Sequence, residues 1–443
     1  MTLGYNEQRT AMASRPEGIR WRIPDCSHFA DAAERPKSAN SNSRRRRLAL
    51  LWLCATLLSG LSFAPTGLRA EPAGSKNEIR IGQTMPYSGP LSSLSGIGKA
   101  SQAYFDKVNA EGGISGRKIK FISLDDGFSP PKTMEQTRKL VEEEEVLLIF
   151  GSFGSATNNA IHRYLNGKMI PHLFITSGAS KWSQPKVYPW TMPGLASYKT
   201  EGNTFGTFVA KTKPDAKVAI IYQNDDFGKD YVQAFKEGLG ARAAEMVVSE
   251  KTYEPADPTI TSQISAMKAS GANVLFGAAL GKFGSQLIKG VAELGWKPDL
   301  FVVPQALTAR SVLEPAGFEN SVGLISAVYQ KPVDDPQFAD DPDVKEYYAF
   351  LKQWYPSADP RNVLYVQGYL EAVLLVQVLR QCGDDLSREN VMRQAASLHE
   401  FPLPLVLPGI TVSTGPDDYY PFKQFKLQRF DGKSWVPFGE LIR

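Results

Sequence analysis

The 443 residues, 42% hydrophobic and 11% aromatic, supply enough apolar side chains for two or three cores and exclude a disordered, collagen-like or coiled-coil chain. The formal net charge of +4 belongs to the N-terminus: residues 1–70 hold 11 Lys/Arg against 5 Asp/Glu and the remainder 39 against 41, which excludes the basic face of a nucleic-acid-binding protein. Of the cysteines Cys26, Cys54 and Cys382 only the last lies beyond residue 70, so a disulfide framework, an iron–sulfur cluster and a cysteine-rich zinc site are excluded there.

In chain order the first feature is a basic cluster, Arg44 to Arg47, followed by the apolar run LALLWLCATLLSGLSFA from Leu48 to Ala64 and the ending LRA at Ala70. Charge, apolar run and small-residue end form a secretory signal peptide, with the mature chain expected to start at Glu71. A membrane span is the rival reading, because roughly 17 apolar residues is near the shortest length that crosses a bilayer. The arginines also share the character of a twin-arginine signal, although a basic n-region of any kind is the simpler account. Cys54 sits beside Trp52 and Leu53 in mid-run, without the small neighbours a lipid-attachment site needs, and reads as apolar filling. Residues 1–70 are therefore assigned to an N-terminal extension and signal peptide, and the mature protein to the periplasm.

From Glu78 onward short β-type runs alternate with helical segments, the pattern of parallel sheets flanked by helices. EIRIGQTM predicts the first strand, PYSGPLSSLSG a loop, Lys99–Ala110 a helix stopped by Gly112 and Gly113, and KIKFISLDD the second strand. Pro130 and Pro131 open the next helix, VLLIF at Val146–Phe150 reads as a buried strand, GSFGSAT as a loop into a helix, and HLFIT with SGAS as a further strand and loop. A second series follows the polar stretch around Ser197–Gly206, with strands at KVAIIY, MVVSEKTY, NVLFGAA and LFVVPQ separated by helices. The two series predict an α/β protein of two Rossmann-like lobes with parallel sheets joined by crossover hinge segments. Residues 78–195 form the N-terminal lobe, completed by about 328–409, and residues 196–327 form the C-terminal lobe, completed by about 410–443.

The loops after Phe150 and Thr176 are the strongest chemical signals, because each follows a buried strand with glycine and hydroxyl residues: Ser152, Ser155, Thr157, Ser177 and Ser180. Ligands of open α/β sheets bind at this carboxyl edge, and a helix N-terminus there favours an anion such as a carboxylate. Plain helix capping is the competing account of the same hydroxyls. No phosphate-loop or dinucleotide spacing is present, the histidines His28, His162, His172 and His399 form no pair at metal-ligand spacing, and no Gly-x-Ser-x-Gly elbow occurs. Asp226-Phe227-Gly228 reads as a polar turn before a helix, Asp125 and Asp126 as a turn or cap rather than an acid–base pair, and Cys382 as packing. An enzyme is not expected, nor a cofactor or metal.

Taken together, IGQTMPYSGPLSSLSGIGKASQAYFDKVNAEGGISGRKIKFISLDD, IFGSFGSATNNA, PHLFITSGAS, KVAIIYQNDDFGKD and ANVLFGAALGKFGSQLIKGVAELGW resemble the leucine/isoleucine/valine-binding-protein family of ABC-transporter substrate-binding proteins, over Ile79–Arg443. The resemblance implies the type I periplasmic binding fold, two lobes that close on a ligand and deliver it to an ABC permease in the inner membrane, with no nucleic-acid partner and a monomeric state. It implies carboxylate binding by two N-lobe loops, where Ser155, Ala179 and Ser180 stand here. Gln305 occupies the place of an expected glutamate and Ala196 that of an expected aspartate, so the ammonium of an amino acid would lack an anionic partner. Leu94 and Ala279 replace family aromatics, while Phe153, Trp190, Leu280 and Phe283 fall near the cleft. A buried ammonium without a counter-charge is costly, so an amine-free aromatic or aliphatic acid is the expected ligand, ahead of an amino acid. A ligand-sensing receptor subunit that signals to a membrane partner shares the fold and is the alternative.

Overall fold

The structure is a computed structural model describing residues 77–306 and 309–442. The expected signal at 44–70, its cleavage point, Cys26 and Cys54 lie outside the described residues.

The first sheet has the order β2-β1-β3-β4-β5, with β1 at Glu78–Met85, β2 at Lys118–Asp125, β3 at Leu148–Phe150, β4 at His172–Ile175 and β5 at Thr191–Pro193. Every pairing in it is parallel. Strands β3 and β4 are buried on both faces, which is why they read as unbroken apolar runs. Flanking helices are α1 (Gly96–Ala110), α2 (Pro130–Arg138) and α3 (Ser155–Gly167). Gly112 and Gly113 end the first of these with φ of 109° and 78°, a conformation that needs no Cβ.

The second sheet has the order β12-β11-β10-β9-β8-β6-β7. Its strands are β6 (Val218–Gln223), β7 (Val247–Tyr253), β8 (Val274–Ala278), β9 (Asp299–Val302), β10 (Ile325–Val328), β11 (Phe425–Phe430) and β12 (Trp435–Ile442). It is parallel from β7 to β10, while β10, β11 and β12 pair antiparallel, so the tail adds an antiparallel edge to a parallel sheet. Helices α4 (Tyr198–Thr212), α5 (Asp226–Leu239), α6 (Ala243–Met246), α7 (Thr261–Ala269) and α8 (Lys282–Glu293) accompany it. Close packing of α4 on α5 depends on glycine: a Cβ at Gly206 would stand 2.0 Å from the Phe235 carbonyl oxygen.

After the one-turn α9 (Glu314–Ala316) and β10, the chain returns to the first lobe as α10 (Pro342–Trp354), α11 (Val363–Cys382) and α12 (Arg388–Ala395) before re-entering the second sheet at β11. Helix α11 is long and apolar enough to span a bilayer, yet it is mostly buried and packs along α1 as a core helix. Its last residue, Cys382, is buried as expected. Three passages between the sheets follow from this path, after β5, after β10 and before β11. They set the carboxyl ends of β3 and β4 against those of β6, β8 and β9.

Candidate ligand cleft

The N-lobe wall is built by the turn between β3 and α3. Gly151 and Gly154 have φ of 55° and 97°, which swings Ser155 onto the first position of the helix. A Cβ at Gly154 would lie 2.5 Å from the Phe128 ring, so only glycine lets Phe128 close over the turn. No side chain caps α3, and its N-terminal N–H groups and partial positive charge therefore open on the cleft. Ser155 Oγ lies 2.7 Å from Ser177 Oγ. Ser177 Oγ in turn accepts from Trp182 Nε1 at 2.9 Å and from the Ala179 N–H at 3.3 Å. Ser177 is also a hydrogen-bond partner of the Tyr198 side chain, and either serine can donate in the Ser155–Ser177 contact.

The other expected hydroxyls are committed elsewhere. Ser152 Oγ donates to Asn158 Oδ1 at 2.6 Å and lies 2.7 Å from His172 Nε2, whose imidazole burial pushes down to about 3 and keeps neutral. Thr157 Oγ1 donates back to the Phe153 carbonyl within its own turn. Ser180 is the main departure from expectation. Its N–H donates to Asp230 Oδ2 at 2.6 Å and its hydroxyl to Asp230 Oδ1 at 3.1 Å, so the carboxylate it holds is one of the protein's own, on α5 of the opposite lobe. Beside it Lys181 Nζ meets Asp226 Oδ2 at 2.5 Å. The two contacts form an interlobe clasp.

The C-lobe wall holds what the sequence reading missed. Asp225 caps α5, accepting from the Gly228 N–H at 3.2 Å and from Gln223 Nε2 at 2.8 Å, and burial raises its carboxyl to about 6. It lines the cleft, so an acid is present there, although Gln305 and Ala196 are neutral as expected. The loop QNDDFGKD follows a buried strand just as GSFGSAT does, and the same positional rule would have singled it out. Tyr198 stacks on Tyr231 at 4.8 Å and meets Phe227 edge-on at 5.2 Å, while Phe128 and Phe153 are tilted against each other at 6.0 Å. These rings make the cleft aromatic.

Behind Gln305 lies Glu201, fully buried and raised by desolvation to about 8, hence protonated at neutral pH. Tyr231 Oη contacts Glu201 Oε2 and also lies 3.2 Å from Gln305 Oε1. The single phenol proton is thus shared between two acceptors, Glu201 Oε2 and Gln305 Oε1. The Gln305 amide is thereby turned with its NH₂ away from Tyr231. A second buried acid, Glu371, also raised to about 8 by burial, accepts from Thr176 Oγ1 at 2.9 Å and Gln367 Nε2 at 2.8 Å. Gln367 Oε1 accepts from Tyr329 Oη at 2.8 Å, which ties the passage after β10 to the cleft floor.

Of the nine expected site residues, Ser155, Phe153, Leu280 and Gln305 line one cavity with Asp225, Phe128 and Tyr198. Leu94 lines the adjoining one. Ala179 and Ala279 are buried beside the loops without lining either cavity. Trp190 precedes β5, at the amino end of a parallel sheet whose carboxyl end faces the cleft, and lines neither cavity. Asp125 and Asp126 are turn and cap residues: Asp125 accepts from the Ser88 N–H and from Lys132, Asp126 from the Phe128 N–H and Thr133 Oγ1. Among the described residues no group of three or more His, Cys, Asp or Glu is placed to hold a metal ion.

Comparison with known proteins agrees with this arrangement. The chain is 23% identical over 334 residues to Leu/Ile/Val-binding protein homolog 7 of Brucella abortus (strain 2308), covering 72% of this chain and 82% of that protein. A branched chain amino acid ABC transporter protein from Thermus thermophilus with bound valine superposes with a TM-score of 0.73 at 16% identity, over 83% of this chain and 96% of that one. A solute binding protein of an ABC transporter from R. palustris in complex with benzoate superposes with a TM-score of 0.69 at 22% identity, over 82% and 96%. At these identities the superpositions establish the fold. The family profile described as periplasmic binding protein matches residues 78–425, most of the chain, and the protein belongs to that family.

Proposed function

We propose that this protein is the substrate-binding component of an ABC importer of the branched-chain amino acid type. It is exported to the periplasm by the signal at 44–70, captures a small carboxylate-bearing ligand between jaws formed by 78–195 with 328–409 and by 196–327 with 410–443, and delivers it to an inner-membrane permease. The observation that carries this reading is the uncapped N-terminus of α3, with the Ser155 hydroxyl beside it, opening on an aromatic cleft. Carboxylate charge is favoured at that helix end.

An amine-free acid fits this cleft better than an amino acid. Gln305 is held through Tyr231 with its amide donors free for a ligand acceptor, the wrong polarity for an ammonium. Asp225 is already engaged by donors from Gln223 and Gly228. Thermal-shift screening of matched pairs, each amino acid beside its deaminated analogue, reads the preference directly, since a ligand that binds only the folded state raises Tm. The deaminated acids should give the larger shifts. Tight binding of leucine, isoleucine or valine that is lost in Asp225→Asn, with no response to the deaminated acids, would reverse the assignment and make Asp225 the ammonium partner. N-terminal sequencing of protein recovered from the periplasm, expected to begin near Glu71, checks the export step; retention of Leu48–Ala64 would contradict it.

A further inference from the structure

We propose that the ligand is an extended acid, whose carboxylate sits at α3 and whose apolar body continues into a second, larger cavity between the lobes; this rests on the carboxylate reading of the cleft. Space is the first argument. The cavity beside Ser155 measures about 10 Å³, room for about one water. The adjoining cavity measures about 360 Å³, within the range of sites that hold drug-sized molecules. Phe153, Thr176 and Gln305 line both, so the two spaces meet at these side chains. A single carboxylate oxygen fits the first space and a hydrocarbon body does not.

Chemistry is the second argument. Leu94, Ile97 and Leu364 line the larger cavity from the N-lobe, and Leu313, Phe318 and Phe430 from the opposite side. Its far end is aromatic, with Phe430 stacked on Phe318 at 6.1 Å and tilted against Trp435 at 5.3 Å. Two sets of charged side chains along it are paired: Arg361 binds Asp359 at 3.0 Å, and Lys331 binds Asp341 and Asp343 at 2.7 and 2.8 Å; Asp334 also lines it, its carboxyl raised by burial. Glu314 and Lys433 line its exposed margin. An apolar tail is therefore matched by these side chains, whereas a second carboxylate would meet the partly buried Asp334 or have to break an existing pair.

The test is a calorimetric titration series of ω-phenylalkanoic acids against the mature chain, from phenylacetic through 4-phenylbutyric to 6-phenylhexanoic acid. Burial of each added methylene should tighten binding about fourfold until the cavity is filled. Val328→Trp, which places a large ring at the cavity wall, should flatten the series, and Leu364→Phe offers the same reading should that variant fail to fold. Affinity that stays level or falls with chain length in the wild type, while phenylacetic acid binds, overturns the extended ligand and leaves the carboxylate site standing. Failure of every acid to bind, whatever its length, overturns the carboxylate reading itself.

Discussion

The two edges that face each other across the cleft differ in polarity. On the N-lobe side stand donors: the uncapped α3 N-terminus, the Ser155 hydroxyl, the Ser180 N–H and hydroxyl, and the Lys181 ammonium. On the C-lobe side stand acids, Asp225, Asp226 and Asp230, with Glu201 behind them. Opposite polarities attract, and the lobes engage each other directly through Asp230 and Asp226. The Ser155 hydroxyl nearer α3 instead meets Ser177, with Asp225 across the same cavity. One wall thus carries two sets of donors, separated by about one loop: Ser155 at the cleft and Ser180 on Asp230.

The sharpest way to break that comparison is to remove one hydroxyl from each position. A hydrogen bond to a charged group contributes about 1.5–3 kcal/mol, so Ser155→Ala should weaken a carboxylate ligand about 10- to 100-fold by calorimetric titration. Ser180→Ala should have a smaller effect on affinity, because its N–H still reaches Asp230. Equal losses in the two variants would mean that Ser180 also serves the ligand and that the clasp is incidental. Next in size is Asp230→Asn, which loses the carboxylate that takes both Ser180 donors. It should shift the closed state toward the open one by about 1 kcal/mol, about fivefold, visible as a larger radius of gyration in small-angle scattering without ligand. An unchanged radius would show that packing alone holds the lobes together.

The smallest expected effect concerns the buried acids and pH. Glu201 and Glu371 are raised by burial from the ordinary 4.5 to about 8, so the folded state holds more protons than the unfolded chain between those values. Their favourable contribution is fully present below about pH 4.5 and is lost as pH rises through 8. Wild-type Tm should therefore fall between pH 6 and 9, and Glu371→Gln, which keeps a neutral acceptor for Thr176, should flatten the fall by a few degrees. An identical slope in the variant would place the loss at other groups.

Strands β3, β6 and β8 were legible in the sequence because strands buried on both faces read as continuous apolar runs. Helices bounded by glycine were legible for the same kind of local reason, although α1 begins at Gly96 rather than near Lys99. The placing of Ser155 at a helix start was legible too, since it depends on a turn a few residues away. Trp190 was not, because an aromatic residue near a strand in sequence can lie at either end of it. Nor was Asp225, whose cap function conceals that it also lines the cleft.

The order of strands and helices, the doubling into two α/β lobes and the placing of functional loops after buried strands were determined by the chain locally, through apolar runs and glycine. What only the tertiary structure decided is which donor faces which acceptor. Ser180 meets Asp230 50 residues away, Tyr231 meets Gln305 74 away and Thr176 meets Glu371 195 away. A hydroxyl's lone pairs and its single proton are allotted by whatever the folded chain brings within about 3 Å, a short-range geometric condition that residue type and spacing do not encode.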